Sequence, residues 1–299
     1  MQTIVLFLFS LFAGVSASAL NNSFAKKEMI TQGDCYRFSM WRTLYSMAML
    51  LILALLNGSL CVPSLFTVIS GALYGMFTVL STIISLNALA VGSYATTTLL
   101  CSIQMMIPAL SGYFFWDEEI YFGQLIGLVL LFIGLFLCIW QGQQQKFTWK
   151  WLLYCLMNIV FSGAIGVTQK IHQSSTHKDE LSMFLLVSFA VSVVFLAAVL
   201  ALIRPGSKRA VSAPLSKTVM LIALLTGLGT ALNHFINTDL AGRISSMIFF
   251  PAYNGSSLLM SLLFSILLFH EKFKTRQIIG FLCGLIGVLL IGNLLNLFL

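Results

Sequence analysis

Apolar runs of about twenty residues recur along the whole chain, and they restrict the folds that are open to it. The hydrocarbon core of a bilayer, about 30 Å thick, is crossed by roughly 20 helical residues. Backbone polar groups in lipid must find partners within the protein, so such runs form helices. Because 59% of the residues are apolar and only 8% are charged, we predict an all-α, polytopic membrane protein with ten transmembrane helices. In chain order, helices 1 to 10 are predicted at residues 3 to 21, 38 to 57, 64 to 86, 92 to 115, 121 to 140, 149 to 170, 181 to 203, 217 to 237, 244 to 269 and 275 to 298.

One motif occurs twice, at the start of helix 5 and at the start of helix 10. Its second copy follows the first at an offset of 153 residues, about half the chain. Each predicted half holds five helices, and an odd number turns the second half upside down relative to the first. We therefore predict two inverted five-helix repeats, residues 1 to 140 and 149 to 299, around a central cavity. The motif copies are Glu118, Gln124, Ile126, Gly127 and Gly134, and Glu271, Gln277, Ile279, Gly280 and Gly287.

The distribution of basic residues predicts the orientation of the chain. Thirteen Lys and Arg residues lie in or beside the loops after helices 1, 3, 5, 7 and 9, and three lie on the opposite side. Basic loops stay in the cytoplasm, so both termini are predicted outside. The net charge of +7 reflects this bias and attraction to anionic lipid, not binding of nucleic acid. Residues 4 to 19 also resemble a secretory signal, but no Lys or Arg precedes them, which favours a retained helix 1.

The sequence carries no motif for metal, nucleotide or catalytic chemistry. Its cysteines are not spaced as CxxC ligands, and its histidines have no second ligand at helical spacing. A Walker-type phosphate loop is also missing from the sequence. Most predicted loops are too short to form a soluble domain. We predict a protein that is not an enzyme and has no cofactor.

Several of these features resemble the EamA-like family of the drug/metabolite transporter superfamily. They are the Glu-x5-Gln-x-Ile-Gly-x6-Gly motif, the two five-helix halves, and the run Pro251-Ala252-Tyr253-Asn254-Gly255 in helix 9. The resemblance implies ten helices around a central cavity lined mainly by helices 1, 3, 4, 6, 8 and 9. It also implies transport of a metabolite or drug, without indicating which one.

The repeated motif is interpreted as structural. Gly123 with Gly127, and Gly280 with Gly284, place small residues on one face of helices 5 and 10, which lets backbones approach closely. Glu118 and Glu271 precede those two helices, where a carboxylate caps exposed N–H groups. Gating is the alternative role for both glutamates.

Substrate binding is expected from polar and aromatic side chains within the cavity helices. Polar groups at this depth are costly unless they pair or face water. For Gln104 and Asn158, the alternative is a bond that holds helices together. His234 is interpreted as the one readily titrating side chain within a span, and Pro251 as a hinge beside the site. The predicted substrate-binding residues are Tyr74, Gln104, Asn158, Asn233, His234, Tyr253 and Asn254.

Charges are scarce at the middle of the predicted helices. All nine acidic residues fall in loops or at helix ends, which disfavours cation/proton antiport. Arg42 and Lys170 lie near opposite surfaces, which disfavours phosphorylated substrates. We therefore predict a secondary transporter that moves a small neutral, zwitterionic or amphipathic metabolite or drug by alternating access. The alternative is a lipid-handling or flippase-type protein. A monomer or homodimer in a bacterial plasma membrane is expected.

Overall fold

In a computed structural model, the protein is described over residues 2–28, 31–91, 97, 100–139, 148–203, 215–269 and 275–291. Within these ranges the regular structure is entirely helical, which confirms the all-α prediction. Short 3-10 turns cover Ser102–Met105 and Lys178–Glu180. The α-helices are α1 (Gln2–Glu28), α2 (Gln32–Leu56), α3 (Leu65–Val91), α4 (Met106–Trp116), α5 (Phe122–Ile139), α6 (Trp149–Gln173), α7 (Leu181–Leu202), α8 (Lys217–Arg243), α9 (Ser246–Phe269) and α10 (Thr275–Ile291).

Six stretches in the described ranges are long and apolar enough to cross a membrane. They lie on α1, α2, α3, α6, α7 and α8, while α5 and α10 contain shorter apolar stretches. Since a span needs about 20 apolar residues, these six satisfy the requirement by length and composition. Ten crossings remain a prediction.

Several helix boundaries differ from the sequence-based ones: α1 continues to Glu28, α3 continues to Val91, and the 3-10 turn at Ser102–Met105 interrupts the helix predicted over residues 92 to 115. α2 begins at Gln32 because Thr31 and Asp34 form a capping box, each side chain accepting the backbone N–H of the other residue. α8 continues to Arg243. α6 continues to Gln173 and so includes His172, which is fully buried. His234 is therefore not the one histidine within a membrane helix, as the sequence had suggested.

The chain forms two compact units. Unit 1 consists of residues 1–79 and 171–239, and unit 2 of residues 80–170 and 240–299. Each unit therefore combines residues from both predicted repeats. The boundaries between the units fall within α3, α6 and α8, so each of these helices contributes to both units. The division into repeats at residues 140 and 149 stays a prediction.

In unit 2, α5 and α10 run antiparallel and approach each other at glycines. A Cβ atom on Gly127 would lie 2.7 Å from the carbonyl oxygen of Gly287, and one on Gly134 would lie 2.6 Å from that of Gly280. Such close approach is open only to residues without a side chain. By contrast, among the residues that the structure describes, no atom lies within 4 Å of a Cβ built on Gly123. Close packing is therefore seen at Gly127 but not, within the described residues, at Gly123.

In unit 1, α2 packs on α8 and α3 packs on α7. The Ser46 hydroxyl donates a hydrogen bond of 2.8 Å to the carbonyl of Gly227. The Ser192 hydroxyl donates one of 3.1 Å to the carbonyl of Gly75. In both pairs a small residue brings the two backbones close enough for a serine to bridge them.

Glu118 caps a different helix from the one predicted. Its Oε2 atom accepts the N–H of Ser246, the first residue of α9, at 2.6 Å, and the Ser245 hydroxyl at 3.0 Å. Asp117, with φ of 50°, ends α4 in the left-handed region and turns the chain there. Instead, Gln124 serves the start of α5 by accepting the N–H of Tyr121 at 3.1 Å. Glu271 lies outside the described residues.

The Glu118 carboxylate also forms an ion pair with Lys170 at the end of α6. The two charged groups are 2.8 Å apart, and their side chains are 14% and 7% exposed. Burial acts to raise the pKa of the Glu118 carboxyl, but the Lys170 ammonium and the bonds from Ser245 and Ser246 outweigh it and hold the pKa below its usual value. The Lys170 ammonium also donates to the carbonyl of Ile244 at 3.2 Å. One carboxylate thus joins the ends of α4, α6 and α9.

Candidate functional site

Unit 2 contains a cavity of about 290 Å³. Its walls come from the second half of α3, from the segment before α4, from α6 and from α9. Three of the predicted substrate-binding residues, Gln104, Asn158 and Asn254, meet in its lining. The lining residues are Ser85, Thr97, Cys101, Ser102, Gln104, Asn158, Asn254, Ser257 and Leu258.

Asn158 lies on the face of α6 that packs on α3 and α4. Its Oδ1 atom accepts the Ser81 hydroxyl at 3.0 Å and the Ser162 hydroxyl at 3.4 Å. One to two turns further along α6, Gly163 and Gly166 lie against Ile107 and Pro108, leaving no space there for a Cβ atom. These contacts bring Asn158 up to the cavity and also hold α6 to α3. The helix-tying role and the lining role therefore coexist in one side chain.

Gln104 and Asn254 both lie three or four residues from a proline. Gln104 is in the 3-10 turn that precedes α4, and Pro108 is the third residue of α4, within the first turn, where proline is tolerated. Pro251 lies inside α9 and removes one helical hydrogen bond. Asn254 follows it and donates from Nδ2 to the carbonyl of Phe250 at 2.9 Å.

The described lining of the cavity can form hydrogen bonds but holds no group that would neutralise a charge. Among the lining residues that the structure describes, none is charged and none is aromatic. Hydroxyl and amide groups make up most of the wall, and each is able to donate and to accept. The arrangement is chemically suited to binding a polar molecule and carries no nucleophile–base pair.

Tyr74 and His234 meet in unit 1. The Tyr74 hydroxyl and Nδ1 of His234 are 2.6 Å apart, and Tyr74 is 1% exposed. The His234 ring meets Phe189 edge-on, with 5.6 Å between ring centroids, and Tyr74 lies against Phe184. This pair is a buried polar contact within an aromatic cluster. Neither residue is among the described lining residues of the unit 2 cavity.

The last two predicted residues make mainly structural contacts. Asn233 donates from Nδ2 to the carbonyl of Ser10 at 2.9 Å, which joins α8 to α1. Tyr253 is buried, with its ring centroid 5.8 Å from that of Phe249. Neither of them lines the described cavity. Their part in binding stays a prediction.

Sequence reasoning missed the small polar residues of the lining. Ser85, Thr97, Ser102 and Ser257 are common residue types in membrane helices and carry little signal by themselves. A helical spacing could have revealed Ser257, because it follows Asn254 by three residues and so lies on the same face of α9.

Comparisons with known proteins agree with this architecture. The model of the EamA-like transporter family matches residues 149–293. A solved structure titled "Crystal structure of protein" is similar, with a TM-score of 0.78 over 99% of this chain and 98% of that one. Their sequences are 14% identical, so the likeness concerns the fold alone. No curated protein matches the chain.

Proposed function

We propose that the chain moves a small neutral, zwitterionic or amphipathic metabolite or drug by alternating access. Through residues 149–293 the chain belongs to the EamA-like transporter family. Membership makes the protein a multi-pass membrane protein of the drug/metabolite transporter type. Members of this family are transporters rather than enzymes. The substrate class and the mechanism are the proposed part.

The observation that carries the proposal is the uncharged polar cavity of unit 2. Polar side chains within membrane helices are expensive unless they pair or face a hydrated space, and they mark substrate pathways. Here amide and hydroxyl groups from α3, α6 and α9 line one cavity. A hydrophobic scaffold would have no need of such a volume.

Alternating access is supported by the reciprocal contacts of α5 and α10. The pair Gly127 and Gly287 and the pair Gly134 and Gly280 exchange when the offset of 153 residues is applied. Two antiparallel segments whose contacts exchange in this way fit a two-fold axis between them. Inverted repeats related by such an axis are common in secondary transporters, where one repeat rocks against the other.

Ligand binding and uptake test the proposal together. The purified full chain is screened by thermal shift against a metabolite and drug library, because a ligand of the folded state raises the melting temperature. A stabilising compound is then followed into proteoliposomes. We expect Asn254→Ala to abolish both the thermal shift and uptake, and Glu271→Gln, in the packing motif, to preserve them. Movement of a labelled phospholipid, without uptake of any soluble ligand, would favour the flippase alternative instead.

Coupling is proposed to be either facilitated exchange or proton-linked through His234. A histidine is suited to proton transfer near neutral pH, and His234 shares a hydrogen bond with the Tyr74 hydroxyl. In the proton-linked case, His234→Gln flattens the pH dependence of uptake. His172→Gln is the control, because His172 is a buried histidine whose ring is likewise hydrogen-bonded to a hydroxyl, that of Thr67. An unchanged pH profile in His234→Gln removes proton coupling through this residue and leaves exchange.

A further inference from the structure

The orientation of the Asn254 amide is set by its own helix. Its Nδ2 group donates to the carbonyl of Phe250, four residues earlier, at 2.9 Å. A carbonyl oxygen only accepts, so the amide nitrogen must be the group turned toward the helix. The other branch of the side chain, Oδ1, is an acceptor. Asn254 therefore offers an acceptor to the cavity that it lines.

The Asn158 amide is oriented the other way. Its Oδ1 atom already accepts from Ser81 and Ser162. Its Nδ2 branch carries two N–H donors, and Asn158 is among the residues that line the cavity. Asn158 is 5% exposed. It therefore adds a donor to the wall that α6 forms, as Asn254 adds an acceptor to the wall that α9 forms.

A ligand group that both donates and accepts hydrogen bonds can bond to the donor of Asn158 and to the acceptor of Asn254. A hydroxyl group or a primary amide has this property. Further hydroxyls from Ser85 and Ser102 can bond a second and a third such group on the same ligand. An aliphatic or aromatic ligand has less to gain, since Leu258 is the one aliphatic side chain of the described lining.

A charged ligand would enter this cavity without a counter-charge. The described lining holds no carboxylate, ammonium, guanidinium or imidazole. Removing an ion from water without a partner is far more costly than removing a neutral polar group. The cavity therefore discriminates against ions by desolvation, whatever their sign.

We propose that the unit 2 cavity selects an uncharged ligand bearing several hydroxyl or amide groups, with Asn254 as acceptor and Asn158 as donor. This inference rests on the proposed function and narrows its substrate class, leaving out the zwitterionic and amphipathic candidates. Asn254 and Asn158 are then the specificity-determining residues of the carrier.

Four probes with five carbons each test the proposal. They are xylitol, its amine 1-amino-1-deoxyxylitol, its acid xylonate, and the zwitterion L-valine. Binding to the purified full chain is measured by isothermal titration. We expect xylitol to bind and the three charged probes to bind at least about tenfold more weakly, because each desolvates a charge without a partner. Equal or tighter binding of any charged probe, or no binding of xylitol, overturns the proposal.

Variants of Asn254 test whether xylitol binds in the cavity of unit 2. Asn254→Leu should weaken xylitol binding by about tenfold or more, since the ligand loses its acceptor in the cavity wall. Asn87→Leu is the matched control, because Asn87 makes the same bond to the carbonyl four residues earlier, Ile83, at 2.8 Å but does not line the cavity. Equal effects of the two variants overturn the assignment.

A charged variant distinguishes a change in ligand preference from a loss of folding. Asn254→Asp keeps an acceptor oxygen and adds a carboxylate, so its preference should change from xylitol to the amine. An unchanged preference overturns the proposal. A wrong ligand class can be distinguished from a wrong proposed function. If L-valine binds and its binding is lost in Asn254→Leu, the cavity is still the substrate site, but its ligand is zwitterionic.

Discussion

Individual charged residues in this protein act mainly at helix ends. Glu118 is the clearest case, because one carboxylate accepts the first N–H of α9 and pairs with Lys170 at the end of α6. The ion pair needs the ionised form, whereas the bond from the N–H needs only an acceptor oxygen. Removing the charge therefore leaves the Lys170 ammonium, 7% exposed, without its partner.

The first prediction concerns this ion pair. Glu118→Gln keeps an oxygen for the N–H of Ser246 but removes the charge. We expect a loss of about 3 kcal/mol in the free energy of unfolding at pH 7, the low end for a buried pair. Titration with a denaturing detergent measures it. Glu119→Gln, at the neighbouring exposed carboxylate, should change little, and a double variant that adds Lys170→Met should recover much of the loss.

The same pair predicts a pH dependence. The pKa of Glu118 is lower in the folded protein than in the unfolded chain. Its contribution to stability is therefore present above the unfolded pKa and is lost as the pH falls through the folded pKa. We expect wild type and Glu118→Gln to converge in stability on acidification from pH 7. A difference that stays constant down to the lowest pH would contradict the ion-pair account.

At the scale of elements, α5 and α10 depend on glycines that leave no room for a methyl group. Their reciprocal contacts at Gly127 with Gly287, and at Gly134 with Gly280, involve backbone atoms that cannot move without shifting a helix. Packing of this kind replaces the hydrophobic effect, which does not drive helices together in lipid.

Two alanine substitutions on α5 test this packing. A methyl group at Gly127 would lie 2.7 Å from the Gly287 oxygen, so Gly127→Ala should destabilise the protein by about 1–3 kcal/mol. Gly123→Ala meets open space and should be neutral, or stabilising by up to about 1 kcal/mol through helix propensity. Melting temperatures in detergent compare the two. Equal effects would show that the glycines do not form the contact.

At the scale of the whole molecule, helix ends that share a predicted side of the membrane are also found together. In unit 2, the ends of α4 and α6 meet the start of α9 around Glu118. In unit 1, Ser64 before α3 bonds Glu180 before α7, and Ser59 after α2 bonds Ser182. The predicted topology places all of these outside, so the contacts are compatible with it.

Cysteine labelling tests this topology. Cys61 is exposed in the segment between α2 and α3, which is predicted outside, whereas Cys35 lies at the start of α2, predicted inside. A membrane-impermeant maleimide should label intact cells at Cys61, and Cys61→Ser should lose that label. Cys35 should react only after permeabilisation. The reverse pattern would invert the orientation.

The sequence by itself was sufficient for the class of the protein. Apolar runs predict helices regardless of their neighbours, because lipid offers no partner to a free backbone group. The number of described α-helices and most of their bounds follow from these runs, and the repeated motif led to the family. Polar helix ends were misplaced, at the start of α2, where a capping box converts polar residues into a first turn, and at the ends of α6 and α8.

Contacts between distant residues were decided only by the tertiary structure. Glu118 and Ser246 are 128 positions apart, so nothing local indicates that this carboxylate caps α9 rather than α5. Gly123 and Gly127 share a face of α5, yet within the described residues α10 meets only Gly127. Likewise, Gln104, Asn158 and Asn254 share a cavity because three helices converge there. Sequence specifies which groups are polar, small or charged, while packing in three dimensions decides which of them meet.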